Sequence, residues 1–237
     1  MENEHIAQNI IITLDFDGCI AIGEKAKVKW AKNYHGINVK PNQITKNTYP
    51  LGPQKYKELM LKVTTEHIME YQIESECKDV LNYLFAQGFR FAIVTSRSGP
   101  ELEAAKAFAK YHMLPIKYFH ATNNSPKNII CSRLRSRAMI DDTFSKLIEL
   151  SGTTLILFFL RRAWNGNEPD NTPNIIQISN WREFALKLIE IRDLHEAVCF
   201  YNKWTNNFAS VEKISQFINE NPNLACNYLK EYKRKVA

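Results

Sequence analysis

Ile10-Ile11-Ile12-Thr13-Leu14-Asp15-Phe16-Asp17-Gly18-Cys19 is the stretch that decides the fold. An apolar, β-branched run of this kind reads as a strand buried on both faces, as in a parallel sheet. It delivers two carboxylates, Asp15 and Asp17, to the strand end, and Gly18 signals a bend directly after them. Side chains alternate along a strand, so the two acids point the same way only while the chain stays extended. Carboxylates so close repel unless a divalent cation lies between them, and hard oxygen ligands favour magnesium. Taken alone, the doublet reads equally well as a strand-end Asp capping the next helix beside a solvated neighbour.

Outward from this stretch, strand-like runs alternate with helical ones, the pattern of a parallel α/β sheet. Strands are expected at Ile10 to Asp15, Phe89 to Thr95, Ile116 to His120, Ala138 to Asp141, Thr153 to Phe159 and Ile175 to Ile178. Ser98-Gly99-Pro100 opens a helix from Glu101 to His112, Ser125-Pro126 opens one to Leu134, and Trp181 to Leu194 has helical spacing. Between the first two strands lie three further helical patterns: Glu24 to Tyr34, Gln54 to Tyr71 and Glu76 to Gln87. That is more helix than one crossover needs, so the reading is a small helical cap inserted after the first strand. The expected organisation is a Rossmann-like α/β core of residues 8–19 and 76–193 with helices on both faces of the sheet. The cap is 20–75, and a C-terminal helical extension covers 194–237.

Composition narrows the function classes. The chain has 237 residues, 45% of them hydrophobic and 24% charged, as in an ordinary globular protein. Its five cysteines are odd in number and lack any C-x-x-C pair, which excludes a zinc site of that type and a disulfide framework. Acids stand near the N-terminus where a signal peptide would be basic, and the apolar run behind them is short, so a cytoplasmic location is expected. The net charge of +6 is concentrated between Lys127 and Arg162, where seven basic residues face three acids. No RNP-like motif, zinc finger or repeat accompanies it, so there is no strong nucleic-acid signal, and a phosphorylated substrate accounts for the charge equally well.

Ligands of open parallel sheets bind outside the carboxyl ends of the strands. Asp15 and Asp17 end the first strand, Thr95-Ser96-Arg97 the second, and Asp141-Asp142 the fourth, while Lys127 sits in the helix entering that strand. The set supplies a metal site, hydroxyl donors and a cation around one point, the parts phosphate chemistry needs.

With these four motifs in order, Asp15-Phe16-Asp17-Gly18, Val94-Thr95-Ser96, Lys127 and Ile140-Asp141-Asp142, the chain resembles the haloacid dehalogenase superfamily over roughly residues 8–190. The resemblance implies a magnesium-dependent phosphatase. Asp15 would be the nucleophile that forms an aspartyl-phosphate, and Asp17 the general acid, with a raised pKa. Thr95 and Ser96 would bind the phosphoryl group, Lys127 would steady phosphate and carboxylates, and Asp142 would pair with Lys127. Magnesium would be held by Asp15, the Asp17 backbone carbonyl and Asp141.

Leu157-Phe158-Phe159-Leu160-Arg161-Arg162-Ala163-Trp164-Asn165, followed by Ile178-Ser179-Asn180-Trp181, further resembles the 5'(3')-deoxyribonucleotidase branch, with Leu160 and Ala163 standing where that branch commonly has Asp and Pro. The implied substrate is a (deoxy)nucleoside monophosphate or a similar small phosphate. A phosphotyrosyl protein as substrate, or a non-catalytic binding module of the same fold, are the alternatives.

Other residues carry open readings. Arg97 either contacts phosphate or pairs with Glu101 or Glu103. Arg161 and Arg162 either guard the entrance or are solvated loop charges. Cys19 reads as a small apolar side chain behind the loop, and Trp30, Tyr34, Tyr56 and Met60 as a stripe packing the cap together. Phe200, Tyr201, Trp204 and Phe208 share one helical pattern before a basic end. They are read as a helical pair on the core, as a docking or membrane-surface element, or as the edge of a longer chain.

Overall fold

The computed structural model describes residues 10–123, 125–166 and 174–205, with side chains through residue 193. The expected segment 194–237 thus lies largely outside the described residues. The chain divides into two compact units, residues 1–181 and 182–237.

The first unit is built on the sheet that the opening stretch predicts. Strand β1 is Ile10–Leu14, β2 Ala21–Ile22, β3 Gln72–Ile73, β4 Phe89–Thr95, β5 Ile116–Ala121, β6 Ala138–Asp141, β7 Ile156–Leu160 and β8 Ile175–Ile178. Six of them form one sheet in the order β5-β4-β1-β6-β7-β8, each neighbouring pair parallel. The chain leaves β1 toward β4 and β5 and returns on its other side through β6. The topological switch, and with it the natural ligand crevice, therefore falls at the carboxyl end of β1. Ile12 and Leu14 are fully buried, as a central strand requires. Thr13, the one polar residue of the run, is buried too, and its hydroxyl donates to the Ala138 carbonyl at 3.0 Å, so nothing is left unpaired.

Helices lie between the strands, α1 Glu24–His35, α2 Gly52–Thr65, α3 Cys77–Ala86, α4 Gly99–Tyr111, α5 Lys127–Arg133 and α6 Phe144–Ile148, and α7 Trp181–Thr205 follows β8. Beside the sheet, Cys131, Phe144, Leu147 and Leu150 pack against Met139, Leu157, Phe159 and Ile175. Trp181 is fully buried and its indole N–H donates to the Cys19 carbonyl at 3.1 Å, tying the loop after β1 to the end of the first unit.

Three expectations are corrected. The strand expected at Thr153 begins at Ile156, because Thr153 closes a turn: its N–H and hydroxyl both donate to the Leu150 carbonyl, at 2.9 and 2.7 Å. The helix expected to run to Tyr71 stops at Thr65, where the Thr64 and Thr65 hydroxyls turn back onto helix carbonyls at 2.7 and 2.6 Å, and a 3-10 turn, Ile68–Glu70, follows. The inserted helices α1 and α2 are bracketed by β2 and β3, which pair antiparallel with each other. Two-residue strands have no periodicity to read, so pattern alone does not reveal them.

Candidate active site

Asp15 is the first residue beyond β1, yet its N–H still donates to the Ile140 carbonyl at 2.9 Å, so the strand's direction carries through to it. Asp141 ends β6, the next strand in the sheet, and Lys127 opens α5. The Lys127 ammonium donates at 2.7 Å to Asp15 Oδ1 and at 2.7 Å to Asp141 Oδ2. The Lys127 side chain is only 7% exposed, that of Asp15 13% and that of Asp141 2%. The second Asp141 oxygen accepts the Thr143 N–H at 2.8 Å, which leaves that carboxylate fully committed. Burial would discharge Lys127, but the two carboxylates outweigh it and raise its pKa, so it stays an ammonium.

The expected pairing of Lys127 with Asp142 does not form. Adjacent residues at a strand end project to opposite sides, so Asp141 takes the lysine and Asp142 faces away from it. Asp142 accepts the Trp164 indole N–H at 3.0 Å and the Thr143 hydroxyl at 3.4 Å. Among the described residues, the group able to hold a metal is Asp15, Cys19 and Asp142, whose ligand atoms all lie within 4.8 Å of one another. Asp141, placed among the metal ligands by resemblance, lies outside that group and pairs with Lys127.

The donor set fits magnesium. Two carboxylates share one lysine with a third beside them, and the excess charge is visible: burial, then Asp141 and Asp142, push the Asp15 carboxyl well up against the pull of Lys127. Burial and Asp141 likewise push Asp142 up to about 6. A hard divalent cation on Asp15 and Asp142 oxygens would relieve this repulsion. The buried Cys19 thiol is raised by burial and by Asp142, so it stays protonated and is a poor ligand for such a cation.

Asp17 turns elsewhere. Arg97 grips its carboxylate in a bidentate fork, Nε to Oδ2 at 2.7 Å and a terminal nitrogen to Oδ1 at 2.8 Å. Arg97 is 4% exposed, and another of its nitrogens donates to the Thr64 carbonyl of α2 at 3.1 Å. Its guanidinium lies 4.9 Å from the ring centroid of the fully buried Phe16. The pair with Glu101 or Glu103 thus gives way to Asp17, while the Glu101 carboxylate accepts the Thr64 hydroxyl at 2.7 Å. Burial works to raise the Asp17 pKa, but the Arg97 hydrogen bonds and charge win and set it below the usual carboxylate range. The raised pKa expected for Asp17 is therefore corrected.

Thr95 is buried, with its hydroxyl accepting the Arg97 N–H at 3.3 Å, and Ser96 is exposed beside it. Gly18 completes the loop at φ +78°, and a Cβ built there would overlap the Asp142 carboxylate. Gly18→Ala is expected to lower stability by roughly 1–3 kcal/mol and to displace Asp142; thermal unfolding and magnesium titration of the variant check this, and an unchanged magnesium affinity would contradict the placement.

The sequence reading singled out the loop after β7 by resemblance but gave Asn165 no role. Asn165 donates to the carbonyls of Asp142 and Leu160 at 2.8 and 3.0 Å, holding the loop beneath Asp142. Arg162 is neither a gate nor solvated: it donates to the Gly18 carbonyl at 3.1 Å and pairs with Glu74 at 2.8 Å. The Trp164-Asn165 pair directly after a strand was the available signal.

No protein-family model matches the sequence, and no curated protein matches it. Solved structures do. A haloacid dehalogenase-like family hydrolase of Streptococcus pneumoniae has TM-score 0.53 and 15% identity over 76% of this chain and 98% of that one. A dehalogenase has TM-score 0.53 and 13% identity over 75% and 96%. CbbY of Rhodobacter sphaeroides, solved with phosphate, has TM-score 0.52 and 14% identity over 73% and 95%. The chain therefore has the fold of the haloacid dehalogenase-like hydrolases.

Proposed function

We propose that this protein is a magnesium-dependent phosphomonoester hydrolase working through an aspartyl-phosphate on Asp15. The observation that carries the reading is the Lys127 ammonium shared at 2.7 Å between Asp15 and Asp141, with Asp142 alongside Asp15, all at the sheet's switch point. Asp15 and Asp142, with the Asp17 backbone carbonyl that the resemblance adds, would hold the metal. Magnesium supplies charge neutralisation between the phosphoryl group and the acids around it.

The Asp15 carboxylate attacks phosphorus, the ester P–O bond breaks, and a proton from Asp17 passes to the leaving oxygen. A water then attacks phosphorus, gives its proton to Asp17, and the P–O bond to Asp15 breaks to free inorganic phosphate. Asp17 as seen, ionised and gripped by Arg97, is in the state that accepts the proton from water; to act as the acid of the first step it would first leave that fork and take up a proton. Lys127 neutralises Asp15 during the approach of the anionic substrate, and by the resemblance the Thr95 and Ser96 hydroxyls would bind phosphoryl oxygens. The helices between β2 and β3 act as the lid, since Thr64 reaches Arg97 and Glu101 at the site.

The substrate is a small phosphomonoester, and by the resemblance around Trp164 a (deoxy)nucleoside monophosphate is the first class to test. Purified protein with magnesium should hydrolyse p-nitrophenyl phosphate and lose that activity with EDTA. A wild type inactive on that ester, on deoxynucleoside monophosphates and on phosphotyrosyl peptides overturns the reading. Peptides turned over far faster than both small esters would move the substrate to phosphoproteins.

A further inference from the structure

Between Glu103 and Asp141 the chain has no acidic residue and seven basic ones. Lys106 pairs with Glu103 at 2.7 Å, and Lys127 is taken by Asp15 and Asp141 at the active site. The other five, Lys110, Lys117, Arg133, Arg135 and Arg137, are exposed and form no ion pair with a described acid.

All strands of a parallel sheet start on one edge, and the topology gathers these five there. Arg137 directly precedes β6; its N–H donates to the Ile11 carbonyl at 2.9 Å and its carbonyl accepts the Ile156 N–H at 3.1 Å, which fixes it between β1 and β7. Arg133 ends α5, and Arg135 stands in the turn between α5 and β6. Lys117 is the second residue of β5, and Lys110 lies in the last turn of α4, which leads into that strand. Asp141 closes β6 at the opposite edge, about 13 Å from Arg137 at 3.3 Å per residue. That exceeds the screening length of about 8 Å at physiological salt, so a phosphate held at Asp15 leaves these charges unanswered. A phosphorylated substrate accounts for Lys127 but not for the three arginines that follow it.

Two further features separate this edge from a solvated run of charge. Arg135 occupies the left-handed position just past α5, at φ +52°, where Gly or Asn is the usual residue. Neither the turn nor a described acid calls for an arginine there. Exposed rings also stand among the cations. The Lys117 ammonium is 5.5 Å from the ring centroid of Tyr118, which is 47% exposed, and Tyr111, next to Lys110, is 70% exposed. On β4, Arg90 is registered beside Ile11, and its guanidinium lies 4.3 Å from the centroid of the exposed Phe85 ring.

We infer that the amino edge of the sheet, from Lys117 on β5 across Arg90 on β4 to Arg133, Arg135 and Arg137 beside β6, is a docking surface for single-stranded nucleic acid. Two strands separate β5 from β6, so the row spans about 14 Å, roughly four nucleotides at the 3.4 Å rise of a stacked strand. Arginine forks take phosphate oxygens in pairs, and aromatic faces take bases of any sequence. A row only one strand-end deep follows a chain of phosphates, whereas an anionic bilayer presents a plane. The docked strand lies away from Asp15 and leaves the active edge open.

The probe is a fluorescent thymidine oligonucleotide of about 20 nucleotides without terminal phosphates, and anisotropy measures its binding to the full-length protein at about 50 and 200 mM salt. The expected result is saturable binding at the lower salt that weakens steeply at the higher. Replacing all three arginines, Arg133→Gln with Arg135→Gln and Arg137→Gln, should weaken binding about 10-fold or more and cut the salt slope by about 2, at roughly 0.7 per lost phosphate contact. Tyr118→Ala should weaken it about 5-fold with the slope unchanged. Hydrolysis of p-nitrophenyl phosphate should be the same in the triple variant as in wild type. Should the triple variant fail to fold, Arg135→Gly reads the same surface: it suits the turn, so stability should rise while oligonucleotide affinity falls. No saturable binding at the lower salt, or an affinity untouched by these arginine variants, overturns the surface. Phosphatidylserine vesicles that bind more tightly than the oligonucleotide and displace it would make the partner a membrane and overturn the nucleic-acid assignment. Because the oligonucleotide carries no phosphomonoester, each of these results stands whether or not the protein proves to be a phosphatase.

Discussion

Asp15→Asn should abolish turnover of p-nitrophenyl phosphate, by about 10⁴-fold or more as expected for loss of a nucleophile, while leaving the protein folded and raising its melting temperature without magnesium. The amide keeps the shape of the carboxylate and an oxygen to accept from Lys127 at the 2.7 Å position. It also removes one of the two acids that share a single lysine, in a place where burial already disfavours the charge. Activity and stability thus move in opposite directions, which a merely structural Asp15 would not produce. Colorimetric assay and thermal unfolding in EDTA read both; retained activity, or a melting temperature that falls with activity, contradicts the assignment.

Lys127→Met should cost about 3–5 kcal/mol of stability at pH 8, because it strands Asp15 and Asp141 in the interior without their cation. For a chain of this size that is a fall of the melting temperature by about 10 °C. The sign of the pH dependence is fixed by the acids left behind. Without the lysine the folded pKa of Asp15, already raised by burial, lies further above its unfolded one, so the native state binds a proton more readily and gains stability as the pH falls. The deficit against wild type should be largest near pH 8 and shrink toward pH 5. Melting curves across that range decide it, and a deficit independent of pH would show that Lys127 acts by packing alone.

The fold was legible where the sequence had long apolar runs. Strands β4, β6 and β8 fall at the expected residues, and β5 differs by one, because a buried parallel strand writes itself as a continuous hydrophobic run. What local pattern could not carry was choice among partners. Arg97 had Glu101 and Glu103 within helical reach, and only the folded chain shows that it goes to Asp17, 80 positions away. The adjacent Asp141 and Asp142 look interchangeable in sequence, yet strand geometry gives the lysine to Asp141 and turns Asp142 toward Trp164.

The pairing of Ala21 with Ile73 and of Ile22 with Gln72 brings the two ends of the inserted helices side by side at one edge of the molecule. Everything between them is topologically a single excursion from the sheet, spliced in at a point where a tight hairpin would do. Asp15 stands before that excursion and Lys127 and Asp141 after it, carried by the sheet and α5 rather than by the inserted helices, so a change in the excursion's length should leave their spacing as it is.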